Sequence, residues 1–272
     1  MAELRALTGI RGLLALAVLL FHLGLCPAGW LAVDGFFVLS GLVLAHVYGA
    51  MTHSIGAFFW ARFARLAPTC LTATTIIVAI GEVQGLHFAP LDVLSTLLVA
   101  PLIVHSSHVN VAMWSLAVEC LLYLAFPLLL VVLPHGVIAR RIGLAVCAAG
   151  STSLVALTLH YHAIGIIVGP LALMRGLFPF VAGMLICRGG WLRATYSNRL
   201  SSLLLDSLDS RPIRFLGEIS LPFYLLQVVA LRTELPIIGK IALTLALATA
   251  MHYVVELPAR RWLRAVHYAP AG

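Results

Sequence analysis

Apolar residues in this chain are gathered into blocks long enough to cross a bilayer, at roughly 8–26, 32–50, 67–82, 112–133, 142–158, 163–187, 215–232 and 236–256. The segment 92–104, DVLSTLLVAPLIV, is too short to span and carries Pro101. Apolar stretches of about 10–14 residues are commonly re-entrant or interfacial. The pattern predicts an all-α fold, a polytopic transmembrane helical bundle of about 8–10 spans with one re-entrant or partial segment. It is read as a single integral-membrane domain over 1–272, with no separate soluble domain.

Composition removes the soluble alternative. Hydrophobic residues make up 62% of the chain, charged residues 10%, and mean hydropathy is +1.06. Soluble domains carry about 25% charged residues. Five cysteines occur singly, with no CxxC pair, so neither a disulfide framework nor a zinc site is indicated. The stretch 1–30 carries Arg5 and Arg11 ahead of an apolar run, but Leu25 precedes Cys26 where a lipoprotein leader needs a small residue. It is read as a retained span.

Charge sets orientation. The net charge is +7, and the basic residues cluster between apolar blocks: Arg5 and Arg11, Arg62 and Arg65, Arg140 and Arg141, Arg188 to Arg214, and Arg260 to Arg264. Such clusters mark cytoplasmic loops facing anionic lipid, so the partner is the lipid bilayer and no nucleic acid is expected. Cytoplasmic arginines require an even number of crossings between clusters. A re-entrant 92–104 meets that condition, places both termini in the cytoplasm, and puts HSSHVNVAMW (105–114) on the other side. The expected location is the cell membrane.

Candidate chemistry falls in four stretches. Arg11 and His22 are eleven residues apart, which at about 100° per residue puts them on one helix face, roughly 16 Å apart along the axis. With Arg11 near the cytoplasmic boundary, His22 is expected about half a bilayer deeper, either as a general base or bonded to a carbonyl at a helix end. Asp34, in the run VDGFFVLSG, opens the second span on the side where the first closes. It either orients the His22 ring or serves the helix dipole alone. Ser40 and Gly41 are small enough for a helix or ligand to approach.

In FFWARFARLAP (58–68), Arg62 and Arg65 face one way at the membrane surface, with Pro68 opening the next span. Two such guanidiniums suit a phosphate, or mark topology. In MWSLAVECLLYLAFPLLL (113–130), Ser115, Glu119 and Tyr123 form a polar stripe at spacing i, i+4, i+8 behind Trp114. An intramembrane carboxylate is a functional candidate, with an arginine, a proton or His22 as its partner. Arg175, inside an apolar block, should pair with a carboxylate such as Glu119 or face a wet cavity. Glu256, just before Pro258 and Arg260, suggests an ion pair at the last helix end. His105, His108, His160 and His162 are read as loop or interfacial polarity.

Taken in order, Arg11–x10–His22, VDGFFVLSG, FxxRxxRxxP, WSLxVExxxYLxxP, LGEISLPFYLLQ and VELPARRWL resemble the motifs of the membrane acyltransferase-3 family, over about residues 4–263. Ala61 stands where that family often has the first of two arginines, and Gln227 where it often has a histidine. The chain is also shorter than typical ten-span members. The resemblance implies transfer of an acyl group, often acetyl, from cytoplasmic acyl-CoA to a hydroxyl of a carbohydrate or glycosylated acceptor. It implies a catalytic His22, an essential Arg11, and Arg62 and Arg65 on the CoA side, and it matches Glu119 to the family's acidic residue.

Combining both lines, the expected catalytic set is His22, Arg11, Asp34 and Glu119, with Arg62 and Arg65 on the CoA phosphates. Ser40, Trp114, Ser115, Tyr123 and Arg175 are expected to face substrate. No metal and no permanently bound cofactor is expected, since acyl-CoA is a co-substrate and its thioester is already activated. A covalent acyl-histidine or acyl-serine relay, the latter through Ser40 or Ser115, ranks below direct transfer. The rival is a transporter or flippase that uses the buried charges as a pathway, which calls for an inverted repeat that the sequence does not display.

Overall fold

A computed structural model describes residues 2–49, 54–99, 109–133, 136–160, 169–190 and 205–268. Every regular element among them is helical: α1 (Ala2–His22), α2 (Ala32–Tyr48), α3 (Ile55–Val83), α4 (Pro90–Leu97), α5 (Met113–Val132), α6 (Val137–His160) and α7 (Gly169–Arg188). Then follow α8 (Arg211–Glu218), α9 (Ser220–Leu231), α10 (Ile237–Met251) and α11 (Leu257–Tyr268), with His252–Glu256 wound as a π-helix between the last two. Among the described residues, seven helical stretches are long and apolar enough to cross a membrane, and eight if α8 and α9 count as one broken span.

Three expectations about helix limits change. The apolar block 67–82 is the second part of a longer helix: α3 begins at Ile55, capped by Ser54 Oγ accepting from Ala57 N, and runs through Pro68. Arg62 and Arg65 thus sit within the helix rather than ahead of it. Arg11 likewise lies nine residues inside α1, while His22 is its last residue. The block 215–232 breaks at Ile219, because Pro222 has no N–H to return to the Glu218 carbonyl and the α-helical ladder cannot pass that point.

Of the partial segment 92–104, the structure describes α4 as far as Leu97 and the turn after it; residues 100–108, which include His105 and His108, lie outside the described residues, as does His162.

By contact the chain divides into two compact units, Met1–Thr52 with Val118–Glu218, and His53–Ala117 with Ile219–Gly272. In the first, α2 lies along α7, α1 packs on α2 and α8, and α6 packs on α7. Leu7, Leu39 and Leu42 form an apolar cluster extended by Ile10, Leu14, Val43, Ile186 and Cys187. The α2–α7 approach is backbone-close: a Cβ on Gly41 would run into the Phe180 carbonyl oxygen, and one on Gly183 into that of Val38. Small residues permit this contact, as in other membrane bundles.

Helix ends in this unit are closed by arginine. The Arg188 guanidinium donates to the Leu130 and Leu133 carbonyls at the end of α5, and Arg140 donates to the Arg188 carbonyl at 3.4 Å. Such donors satisfy carbonyls that have no partner within the helix. On the outward side α5 presents Leu124, Leu128, Val131 and Val132, each more than 60% exposed within the bundle. Apolar side chains outside and polar ones inside are the arrangement lipid requires.

In the second unit, α3 packs on α4, α9, α11 and the π-helical turn, and α9 packs on α10. Cys70, Ala73 and Ile77 of α3 are fully buried, as are Phe223, Leu225 and Leu226 of α9.

Candidate active site

The chain reaches its first polar cluster through a tight turn. Leu25 N donates to Leu20 O at 2.8 Å and Gly24 N to Phe21 O at 2.9 Å, with Gly24 at φ +75°. This pattern closes a helix through a left-handed residue, which glycine adopts without strain. It leaves His22 exposed at the C-terminal end of α1, its ring 5.3 Å from that of Phe21. A short 3-10 turn, Gly29–Leu31, then buries Trp30 and leads into α2.

Asp34 lies in the first turn of α2. Its two oxygens accept from Arg175 of α7, Nε to Oδ1 and Nη2 to Oδ2, each at 3.0 Å. Arg175 Nη2 also donates to the Trp30 carbonyl at 3.2 Å, and the guanidinium lies 4.8 Å from the Trp30 ring centroid. A bidentate pair backed by an aromatic face is the geometry arginine serves best. The expected carboxylate for Arg175 is therefore found, but it is Asp34 rather than Glu119. Both Asp34 oxygens are thus engaged by Arg175.

Glu119 takes its partners from hydroxyls instead. Ser40 Oγ donates to Glu119 Oε1 at 2.8 Å, and Tyr123 Oη donates to the same oxygen at 2.5 Å. The i, i+4 spacing on α5 brings Glu119 and Tyr123 together, and α2 supplies Ser40. The remaining predicted residue of this unit, Arg11, is half-buried on α1, with its Nε sealed from solvent. It sits beside Gly12, where α8 approaches so closely that a Cβ would meet the backbone of Leu216 and Gly217.

Ser115 is buried in the second unit, where its Oγ lies 2.9 Å from Tyr224 Oη and donates to the Ala112 carbonyl at 3.1 Å. Trp114 is half-buried. Gln227, fully buried, donates to the Tyr224 carbonyl at 2.9 Å. Arg62 lies 5.9 Å from the Phe58 ring centroid. Arg62 and Arg65 are half-buried and both lie within electrostatic reach of Arg260 in the closing helix.

Trp30, Tyr224 and His252 are polar partners that the motif reading passed over. Trp30 gave no signal, being one aromatic in a linker. Tyr224 sits in the quoted LPFYLLQ stretch, and the HxxxExxxR spacing over 252–260 was open to be read. Among the described residues, no group of three His, Cys, Asp or Glu side chains is arranged to hold a metal ion.

A family profile described as "Acyltransferase domain", that of the acyltransferase-3 family, matches residues 4–208. The chain belongs to that family. The chain is also 46% identical, over 82 residues, to "Protein 2 in picA locus" of Rhizobium radiobacter. The match covers 27% of this chain and 43% of that relative's length. No solved structure matches. Family and helices together make this a multi-pass membrane protein of the acyltransferase-3 family, and both polar clusters of the first unit, Asp34–Arg175 and Ser40–Glu119–Tyr123, fall inside the matched region.

Proposed function

We propose that this acyltransferase moves an acyl group, acetyl first, from acyl-CoA to a hydroxyl of a carbohydrate or glycosylated acceptor. In this reading the CoA phosphates dock on Arg62 and Arg65. The acceptor oxygen attacks the thioester carbonyl, His22 takes the hydroxyl proton as the C–O bond forms, and the C–S bond breaks. The departing CoA sulfur then receives the proton from the imidazolium. Each element is ordinary acyl-transfer chemistry, a general base next to an activated carbonyl.

The observation that carries the reading is the position of the motif histidine. His22 is exposed at a helix end that a Gly24 turn closes, where its ring can be reached from outside the helix. The Asp34–Arg175 pair, seated on Trp30, fixes the start of α2 that follows His22 in the chain. Asp34 is therefore assigned to positioning this turn. Glu119, with its hydroxyl partners, is assigned to the substrate-facing interior together with Ser40 and Tyr123. The arginine clusters support a cytoplasmic-membrane location with both termini inside.

The deciding experiment supplies acetyl-labelled acetyl-CoA to membranes carrying the native chain or His22→Ala, and follows label in glycan fractions alongside release of free CoA. Loss of transfer by about 100-fold or more, with CoA binding retained, is expected for the variant. Equal transfer by both preparations removes His22 as the base. Membranes that neither bind nor consume acyl-CoA would move the transporter reading to the front.

A further inference from the structure

In the second unit the expected ion pair at the last helix end forms, between Glu256 and Arg260, and it is part of a larger polar assembly. After α10 the chain makes one π-helical turn, His252–Glu256, before continuing as α11. Such turns are rare and concentrate at functional sites. Both ends of the turn are buried titratable residues, His252 at 5% and Glu256 at 3% exposure. His252 Nδ1 lies 2.8 Å from Glu256 Oε2, and Arg260 Nη1 lies 3.4 Å from Glu256 Oε1. A buried carboxylate thus holds a guanidinium that is itself 30% exposed.

The same stretch is tied to α3. Trp60 Nε1 donates to the Leu263 carbonyl at 2.8 Å, and α11 packs along α3. Arg260 consequently lies within electrostatic reach of Arg62, Arg65 and Arg264 together. Arg260 is paired with Glu256, and three further guanidiniums, Arg62 and Arg65 on α3 and Arg264 on α11, lie near enough to act on it. Like charges brought together this way repel one another. A topology signal needs arginines on the correct side of the membrane, but it does not need them convergent, nor one of them braced by a buried His–Glu pair. A polyanion explains both features.

We propose that Arg260 and Arg264 join Arg62 and Arg65 in a single phosphate-binding site, with the His252–Glu256 pair positioning Arg260. The ligand class is a nucleotide carrying a diphosphate and a terminal phosphate monoester. Such a molecule brings about four negative charges against the four guanidiniums, the monoester alone supplying about two. Planar guanidiniums match phosphate oxygens in pairs. The assignment rests on the acyl-CoA reading above, which it extends from two arginines to four.

The test is calorimetric binding of CoA and of 3′-dephospho-CoA to the full chain purified in detergent, for the native protein, Arg260→Gln, Arg264→Gln and Glu256→Gln. The native chain should prefer CoA. Arg260→Gln should weaken CoA by about tenfold, the loss expected when one charged hydrogen bond goes, and should narrow the gap between the two ligands. Glu256→Gln keeps all four arginines, so a narrowed gap there reports loss of positioning, which a general loss of stability would not produce. Arg264 is exposed, so its variant carries the test even if Arg260→Gln fails to fold.

Unchanged CoA affinity in both arginine variants overturns the four-arginine site while leaving the donor reading intact. If the native chain binds no CoA but phosphatidylglycerol in mixed micelles raises its melting temperature in an Arg260-dependent way, the phosphate site stands with lipid as its source, and the donor reading fails. If neither ligand responds, both fall.

Discussion

Arg175 grips Asp34 at both carboxylate oxygens, and it is the more deeply buried of the two, with 7% of its side chain exposed against 21% for Asp34. The two single losses are therefore unequal. Asp34→Ala strands a guanidinium away from water and should cost about 3 kcal/mol, whereas Arg175→Met leaves a carboxylate nearer the surface and should cost less. The double variant should recover part of the loss. Thermal unfolding in detergent measures all three, and strictly additive losses would contradict a coupled pair.

Contact between α2 and α7 depends on two glycines. Gly41→Ala and Gly183→Ala each push a methyl group into a backbone carbonyl that cannot swing aside. Each should destabilise by about 1–3 kcal/mol, the usual range for overpacking. Gly56, in the first turn of α3, has open space around it, and Gly56→Ala should raise stability by up to about 1 kcal/mol through helix propensity. A matching series of melting curves distinguishes close approach from a general intolerance of alanine.

Glu119 receives two hydroxyls on a single oxygen. Tyr123→Phe removes one donor and should cost about 1 kcal/mol. Glu119→Ala withdraws the acceptor from both and should cost about 2–4 kcal/mol, since hydroxyls left unsatisfied inside the bundle lose their full solvation. Chemical denaturation of the two variants, followed by tryptophan fluorescence, should show that order; the reverse order would mean that Glu119 is not their shared acceptor.

Trp60 is joined to α11 through its indole N–H. Trp60→Phe keeps the ring and loses the donor, so local opening around Leu263 should become about fivefold more frequent, for a loss near 1 kcal/mol. Amide hydrogen exchange over residues 257–265 is the readout. Unchanged protection there would mean that packing alone secures the helix.

The sequence made the helices legible because lipid leaves little choice: long apolar blocks with arginines between them become spans. The polar stripe of Glu119 and Tyr123 was also visible, since i, i+4 spacing on one helix needs no tertiary information. The partner of Arg175 was not. It lies 141 residues away, several carboxylates were available, and only the glycine-to-backbone contact of α2 with α7 selects Asp34. The ends of α3 were hidden by Pro68, which helices tolerate inside a bundle. The π-helical turn has no residue that announces it, so the convergence of Arg260 with Arg62 and Arg65 could not be read from spacing.

A π turn holds one residue more than the α turn it replaces. Deleting one residue from the last α-helical turn before it would keep an even winding there, yet it would swing everything after it by about 100° and draw it back by about 1.5 Å. The closing helix would survive that deletion intact while its arginines pointed along a different bearing from α3. For this chain, the correct length of one turn matters as much as the identity of the charges it aims.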